Sequence, residues 1–124
     1  MSYDGDDPAG LVVEQLNTFA FVMDYVEFGF NGPVLKALTN PVVESGGRHY
    51  RFPESGSRDA LCPLIGSDVS ALVIKEDDRI ELVLKRERTL TIPLDRASRR
   101  RIEATHYLPA ASDGSLRVAD MLIW

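Results

Sequence analysis

The segment between residues 69 and 94 alternates apolar and polar side chains with a period of two. Its apolar positions include Ile80, Leu82, Leu84, Leu90, Ile92 and Leu94, and charged residues or threonines fill most of the positions between them. This period is typical of antiparallel strands that bury one face and leave the other in water. The segment therefore predicts a three-stranded meander with turns at residues 76–78 and 86–87.

The remaining chain continues the same period, interrupted by turn signals. Alternation resumes around Phe19 and Phe28, Asn31 with Gly32 predicts a hairpin, and Gly46 with Gly47 predicts a second turn. A last hairpin is expected from residues 103–108 and 116–124. We predict a mainly β fold, in which antiparallel meanders of about seven to nine strands form a sandwich or a partly open barrel.

A weak internal repeat is relevant to this architecture. Residues 26–30 and residues 80–84 have similar patterns 54 positions apart, and each lies between two other apolar segments. The repeat is explained either by generic β patterning or by two similar three-stranded units whose apolar faces pack together.

The only helix we predict is a short one near residues 58–64, with Ser57 as its N-cap and Pro63 limiting its length. Cys62 is expected to be a buried structural thiol, because its neighbours are Leu61 and Pro63. Residues 1–15 are predicted to be a flexible acidic arm, and residues 16–124 a single β-rich domain.

The composition is that of a globular protein. The chain has 124 residues, of which 44% are hydrophobic and 27% are charged. It has no apolar run near the ~20 residues needed to span a bilayer, and its acidic start does not resemble a signal peptide. Cys62 is the single cysteine, so no intrachain disulfide can form. We expect a cytoplasmic protein without a membrane partner.

Charge is distributed unevenly along the chain and indicates two candidate sites. The formal net charge is −5, yet residues 85–101 contain seven basic residues: Lys85, Arg86, Arg88, Arg96, Arg99, Arg100 and Arg101. Arg99, Arg100 and Arg101 with His106 are the candidate anion-binding residues, and the acidic turn Glu76, Asp77 and Asp78 is the candidate partner contact. Nucleic acid is disfavoured as a partner, because a strand of roughly 20 Å divides the basic residues and no aromatic residues lie among them.

The sequence contains no motif of catalysis or cofactor binding. It has no phosphate-binding glycine loop, His-Glu-x-x-His or Gly-x-Ser-x-Gly motif, and His49, His106 and Cys62 do not have the spacing of metal ligands. We therefore predict no catalytic residues, no metal and no cofactor. Both histidines are expected at outward or edge positions, and Trp124 is expected to pin the last strand into the core rather than to form an exposed patch.

Several spaced residues resemble those of a group of small, uncharacterised bacterial β-rich proteins. These are Asp24-Tyr25, Pro53, Leu61, Leu64-Ile65-Gly66, Val69, Leu90-Thr91-Ile92-Pro93 and the terminal Trp124. The resemblance covers residues 16–124 and implies a bacterial β domain, with no catalytic residues to transfer. The chain departs from the group at residues 99–103, where those proteins carry an internal tryptophan.

Three hypotheses for function follow from this profile. The first is a non-catalytic protein-binding module, and its narrower form is an immunity protein that neutralises a bacterial toxin. The second is a β domain that binds a small molecule or an anion, an enzyme among the possibilities. The third is a structural protein that associates with itself, as a homo-oligomer, through an edge strand.

Overall fold

The computed structural model describes residues 14–22, 25–85, 87–99, 103–109 and 121–124. These ranges contain ten strands: β1 (Thr18–Val22), β2 (Tyr25–Gly29), β3 (Val34–Ala37), β4 (Val42–Ser45), β5 (Arg48–Arg51), β6 (Val69–Lys75), β7 (Arg79–Leu84), β8 (Arg88–Pro93), β9 (Thr105–Leu108) and β10 (Leu122–Ile123). A short helix, α1 (Ser57–Leu61), continues into a 3-10 helix at Cys62–Leu64, and a second 3-10 helix spans Arg96–Ser98.

The strands form two antiparallel sheets of five. The first sheet has the order β1-β2-β3-β9-β10 and the second has the order β5-β4-β8-β7-β6. The sequence predicted a sandwich or a partly open barrel. The structure has two separate sheets, and neither closes into a barrel. The mainly β fold class is confirmed.

The described residues form ten strands, more than the seven to nine expected, because residues 34–43 are divided between the sheets. β3 pairs with β2 and β9 in the first sheet, whereas β4 pairs with β5 and β8 in the second. Pro41 lies at the crossing, where its missing N–H removes no ladder hydrogen bond.

One hydrophobic core is shared by both sheets. Its fully buried side chains come from both sheets, from α1 and from segments next to them, and the largest are Phe28, Phe52, Leu16, Leu35, Leu61, Leu64, Ile74, Ile80, Leu82, Leu84 and Leu90. Each such side chain contributes about 1.5–3 kcal/mol through removal of apolar surface from water. The apolar residues of the alternating pattern therefore lie on the inward faces of the two sheets and pack against each other.

The predicted turn at Gly46 and Gly47 is confirmed and joins β4 to β5. Ser45 pairs with Arg48 directly across it, and both glycines have positive φ angles, +59° and +78°. Two consecutive positive φ angles match the right-handed twist of a hairpin and suit glycine, which has no Cβ.

The short helix is confirmed, but two details of its sequence interpretation are wrong. Gly56, with a φ of +86°, occupies the N-cap position, and Ser57 is the first helical residue, with a buried side chain. Cys62 is exposed rather than buried, because the 3-10 helix turns Leu64 into the core instead. None of the helices in the described ranges is long and apolar enough to cross a membrane.

Trp124 holds the last strand against the core, as predicted. Its side chain is partly buried against the core cluster. Its main-chain N–H donates to the carbonyl of Thr105 at 3.0 Å, and its carbonyl accepts from the N–H of Ala104 at 2.6 Å. These bonds continue the β9–β10 ladder.

Two buried threonines predict opposite effects of one substitution. Thr105 is fully buried and its Oγ1 has no hydrogen-bond partner among the described residues, whereas the Thr39 Oγ1 donates to the Pro93 carbonyl at 2.6 Å. Thr105→Val should raise the free energy of unfolding by about 1 kcal/mol, because it removes a desolvated hydroxyl without breaking a bond. Thr39→Val should lower it by about 1–2 kcal/mol, because the half-buried Pro93 carbonyl loses its donor. Urea denaturation of both variants checks the prediction, and equal signs would contradict it.

Candidate functional site on the outer face of the second sheet

The outward residues of the second sheet form two rows that cross all five strands. Because side chains alternate along a strand, residues between buried positions face away from the core. The first row is Arg51, Val42, Thr91, Glu81 and Val73, and the second is His49, Glu44, Thr89, Val83 and Ala71. We call these ten residues the open face. They are exposed or half-buried, whereas their neighbours Val43, Leu90 and Leu82 are buried.

The open face has a charged side on β4 and β5 and a middle with a single charge, Glu81, whose four uncharged neighbours Thr89, Thr91, Val83 and Val73 we call the uncharged middle. Thr91, Thr89, Val83, Val73 and Ala71 occupy most of the positions on β6, β7 and β8. The charges of Arg51, His49 and Glu44 lie on β5 and β4, and Glu81 is the only charged residue among the face positions of β6, β7 and β8.

A groove borders the open face beside the 3-10 helix at Arg96–Ser98. One cavity of about 340 Å³ is lined by the face residues of β4 and β5, by Thr91 of β8, and by Asp78, Arg79, Pro93, Asp95 and Ser98. A second cavity of about 300 Å³ shares Arg51, Pro93 and Ser98 with the first and adds Asn40, Ala97 and Arg99. The shared residues make the two cavities one continuous groove.

The predicted acidic turn lies at one end of this groove. Asp77 projects from its apex with a side chain 96% exposed and a φ of +62°. Asp78 is anchored on both sides, since its N–H donates to Lys75 at 3.0 Å and its carbonyl accepts from Leu94 at 2.8 Å. The turn therefore presents Asp77 from a well-anchored backbone.

Arg99, predicted as part of a separate anion site, lies beside this acidic turn. Its Nε donates to the Leu94 carbonyl at 2.7 Å, and its Nη2 lies 3.9 Å from a carboxylate oxygen of Asp77. Only 21% of the Arg99 side chain is exposed. Because an acid of the same chain already faces this guanidinium, Arg99 is a weaker attractor for an external anion.

Arg79 links the acidic turn to the open face. Its Nε donates to Glu81 at 3.0 Å, and its Nη1 contacts a carboxylate oxygen of Asp78. The hydrogen bond to Glu81 is the main cause that raises the pKa of Arg79 above its ordinary value, and the charges of Asp78 and Glu81 add to it while burial opposes it. Arg79 therefore stays charged and orients both carboxylates.

Of the other predicted anion-binding residues, only His106 lies in the described part of the chain, and it is not at this groove. His106 lies in β9 of the first sheet, where its Nε2 is 3.1 Å from Glu103 and its register neighbour is Lys36. Arg100 and Arg101 lie outside the described residues. His49, by contrast, is exposed on the edge strand β5 as expected, 3.8 Å from Glu44.

Sequence reasoning missed two features of this region. The uncharged middle of the open face is produced by the register of strands that are distant in sequence, such as β4 and β8. Arg51 lines both cavities and has no ion-pair partner within the described ranges. No feature of the sequence distinguishes Arg51 from Arg48 as a residue of the groove.

The described residues contain no group of three or more His, Cys, Asp or Glu side chains arranged to hold a metal ion. Comparison of the chain with protein-family models, with curated proteins and with solved structures finds no match.

Proposed function

We propose that the protein is a non-catalytic protein-binding module of the cytoplasm that binds its partner through the open face. The observation that supports this proposal is the uncharged middle of the face, Thr89, Thr91, Val83 and Val73. It lies around Glu81, whose charge is paired with Arg79, and most other charges of the face are on β4 and β5. Protein interfaces have the same anatomy, with few charges at the centre and a polar rim. A sheet face of this kind offers a rigid surface that needs little ordering on binding.

The acidic turn indicates the charge of the partner. Asp77 is almost fully exposed beside the groove, and the whole chain carries a formal net charge of −5. A partner with a basic surface would be steered toward this side and would gain charge complementarity there. The narrower proposal is a bacterial immunity protein that covers the basic cleft of a toxin.

The alternative of an anion-binding site at Arg99 has less support. The Arg99 guanidinium already lies near the Asp77 carboxylate and donates a hydrogen bond to the Leu94 carbonyl. His106 belongs to the other sheet. Self-association remains a distinguishable form of the same proposal, because a second copy of the chain is itself a protein partner.

Val83→Arg tests the open face. The substitution introduces a long cation at the middle of the uncharged region, and we expect it to weaken partner binding ~100-fold, as for disruption of an interface hot spot. The measurement is affinity capture from nuclease-treated host lysate at high salt, with titration of the captured partner. Ala20→Arg, which adds the same side chain to the outer face of the first sheet, is the control and should bind like the wild type.

Three outcomes separate the forms of the proposal. A stoichiometric partner that is toxic when expressed alone, and harmless when co-expressed with this protein, supports the immunity protein. A dimer that Val83→Arg converts to a monomer in light scattering supports self-association. Equal capture by both variants, or a bait that retains no partner, contradicts binding through the open face.

A further inference from the structure

Arg88, the first residue of β8, lies where two cavities meet. The larger cavity, about 390 Å³, is lined by Ser45, Tyr50, Gly56, Asp59, Ala60, Pro63 and Arg88. The smaller, about 290 Å³, is lined by Pro63, Ser67, Asp68, Lys85 and Arg88 with Ile65 and Gly66. Tyr50 alternates with His49 and Arg51 along β5, so the larger cavity lies on the opposite side of that strand from the open face.

The Arg88 guanidinium is held in place by neutral groups. Its Nη1 donates to the Pro63 carbonyl at 3.0 Å, and its Nη2 donates to the Ser67 hydroxyl. Its Nε is buried without a hydrogen-bond partner in the described part of the chain, and no carboxylate there forms an ion pair with it. A guanidinium has five N–H groups, so most of its donor capacity is unused.

An unbalanced cation in a half-buried position is costly. Removing a charge from water is compensated only when an opposite charge or several hydrogen bonds replace the water. Lys85, the other cation nearby, is balanced by Asp68 at 3.1 Å. Arg88 is therefore the cation in these two cavities that lacks a counter-ion within the described ranges.

The larger cavity also has the apolar surface that an organic ligand requires. The Tyr50 ring, Ala60 and Pro63 supply apolar contacts, Ser45 adds a polar side chain, and Asp59 adds the one carboxylate. Its volume falls within the ~300–1,000 Å³ typical of ligand sites. The cavity is lined by one cation and one carboxylate, so a singly charged anion meets less repulsion from Asp59 than a dianion such as phosphate does.

From this arrangement we propose that the larger cavity binds a small organic carboxylate. The carboxylate accepts hydrogen bonds from the terminal N–H groups of Arg88 that Pro63 and Ser67 leave unused, and the apolar body lies against Tyr50, Ala60 and Pro63. This site is independent of partner binding at the open face, since it lies on the other side of β5.

The test is a ¹H–¹⁵N NMR titration with three probes: phenylacetate, its neutral analogue phenylacetamide, and inorganic phosphate. We expect saturable shifts with phenylacetate that centre on the amides of Tyr50, Ala60 and Arg88. Phenylacetamide and phosphate should each bind at least about tenfold more weakly. Arg88→Gln should weaken phenylacetate binding by a similar factor, and Arg96→Gln, which changes an exposed arginine that lines neither cavity at Arg88, should leave it unchanged.

Arg88→Lys is a second variant in case Arg88→Gln fails to fold. It keeps the positive charge but replaces the planar guanidinium with an ammonium group. It should bind phenylacetate with intermediate affinity, and thermal melting confirms that each variant is folded. The proposal is overturned if none of the probes gives saturable shifts, if phenylacetamide matches phenylacetate, if phosphate binds more tightly than phenylacetate, or if Arg88→Gln binds like the wild type. The outcome of this titration is independent of the outcome of partner capture with Val83→Arg, so the two proposals can fail separately.

Discussion

Phe28→Ala is expected to lower the free energy of unfolding by about 3–5 kcal/mol. Phe28 is fully buried in β2, the middle strand of the β1-β2-β3 meander, and its ring meets that of Phe19 edge to face at a centroid distance of 5.2 Å. Removal of the ring loses its transfer free energy and leaves a cavity that two packed sheets cannot fully close. Since small domains are stable by only about 5–15 kcal/mol, the midpoint of urea unfolding followed by circular dichroism should fall markedly.

Phe21→Ala is the matched control, because it removes the same ring from a position that is 36% exposed. Phe21 stacks on Phe52 at a centroid distance of 5.7 Å and lies under the Arg58 guanidinium at 5.5 Å. It therefore stabilises the fold through an aromatic contact and a cation–π contact as well as through burial. We expect a loss of about 0.5–1.5 kcal/mol, in the range of aromatic pairs and exposed cation–π contacts. Equal losses for the two variants would contradict the inward assignment of Phe28.

The β6-β7-β8 meander of the second sheet was the most predictable part of the fold, because it is determined by local alternation. Ile80, Leu82 and Leu90 occupy successive inward positions of adjacent strands, and short turns join those strands. In such a meander each strand pairs with its sequence neighbour. Period, turn position and pairing then depend on the same local residues.

The division of residues 34–43 between the two sheets was not predictable in the same way. β3 pairs with β9, and β4 pairs with β8, so both partners come from much later in the chain. Pro41 indicates an interruption, but its missing N–H does not specify which sheet the following strand joins. That choice depends on long-range packing, which no local pattern encodes.

Side-chain direction explains the prediction that failed for Cys62. Its neighbours in sequence are apolar, and this favoured burial. In the 3-10 helix, however, Leu64 points into the core while Cys62 is exposed, because successive residues of a helix face different directions. Apolar neighbours in sequence are therefore a poor guide to burial in a helical turn.

The two proposed sites depend on long-range geometry to different degrees. The acidic turn was visible in the sequence, since three consecutive acids between two strands form an exposed turn. The uncharged middle of the open face was not, because valine and threonine also favour strands for their own conformational reasons. The cavity at Arg88 requires Pro63 and Ser67 to approach β8 from more than twenty residues away, and the sequence pattern of β8 does not contain this information.

Leu82→Ala tests whether the two sheets unfold as one unit. Leu82 lies 54 positions after Phe28, is fully buried, and occupies β7, the middle strand of the meander in the second sheet. We expect a loss of about 2–5 kcal/mol in the free energy of unfolding. Trp124, the only tryptophan of the chain, lies at the edge of the first sheet against the shared core. Its fluorescence should therefore report the lower midpoint, although the substitution is in the other sheet.

The comparison of two probes makes this prediction specific. Because residues of both sheets contribute to one core cluster, circular dichroism and Trp124 fluorescence should give coincident transitions in Leu82→Ala, as in the wild type. Val83→Ala, which truncates the outward neighbour on the same strand, should change the midpoint only slightly. Transitions that separate, with the fluorescence midpoint unmoved by Leu82→Ala, would mean that each sheet is stabilised on its own. The two three-stranded meanders would then be independent units rather than two halves of one core.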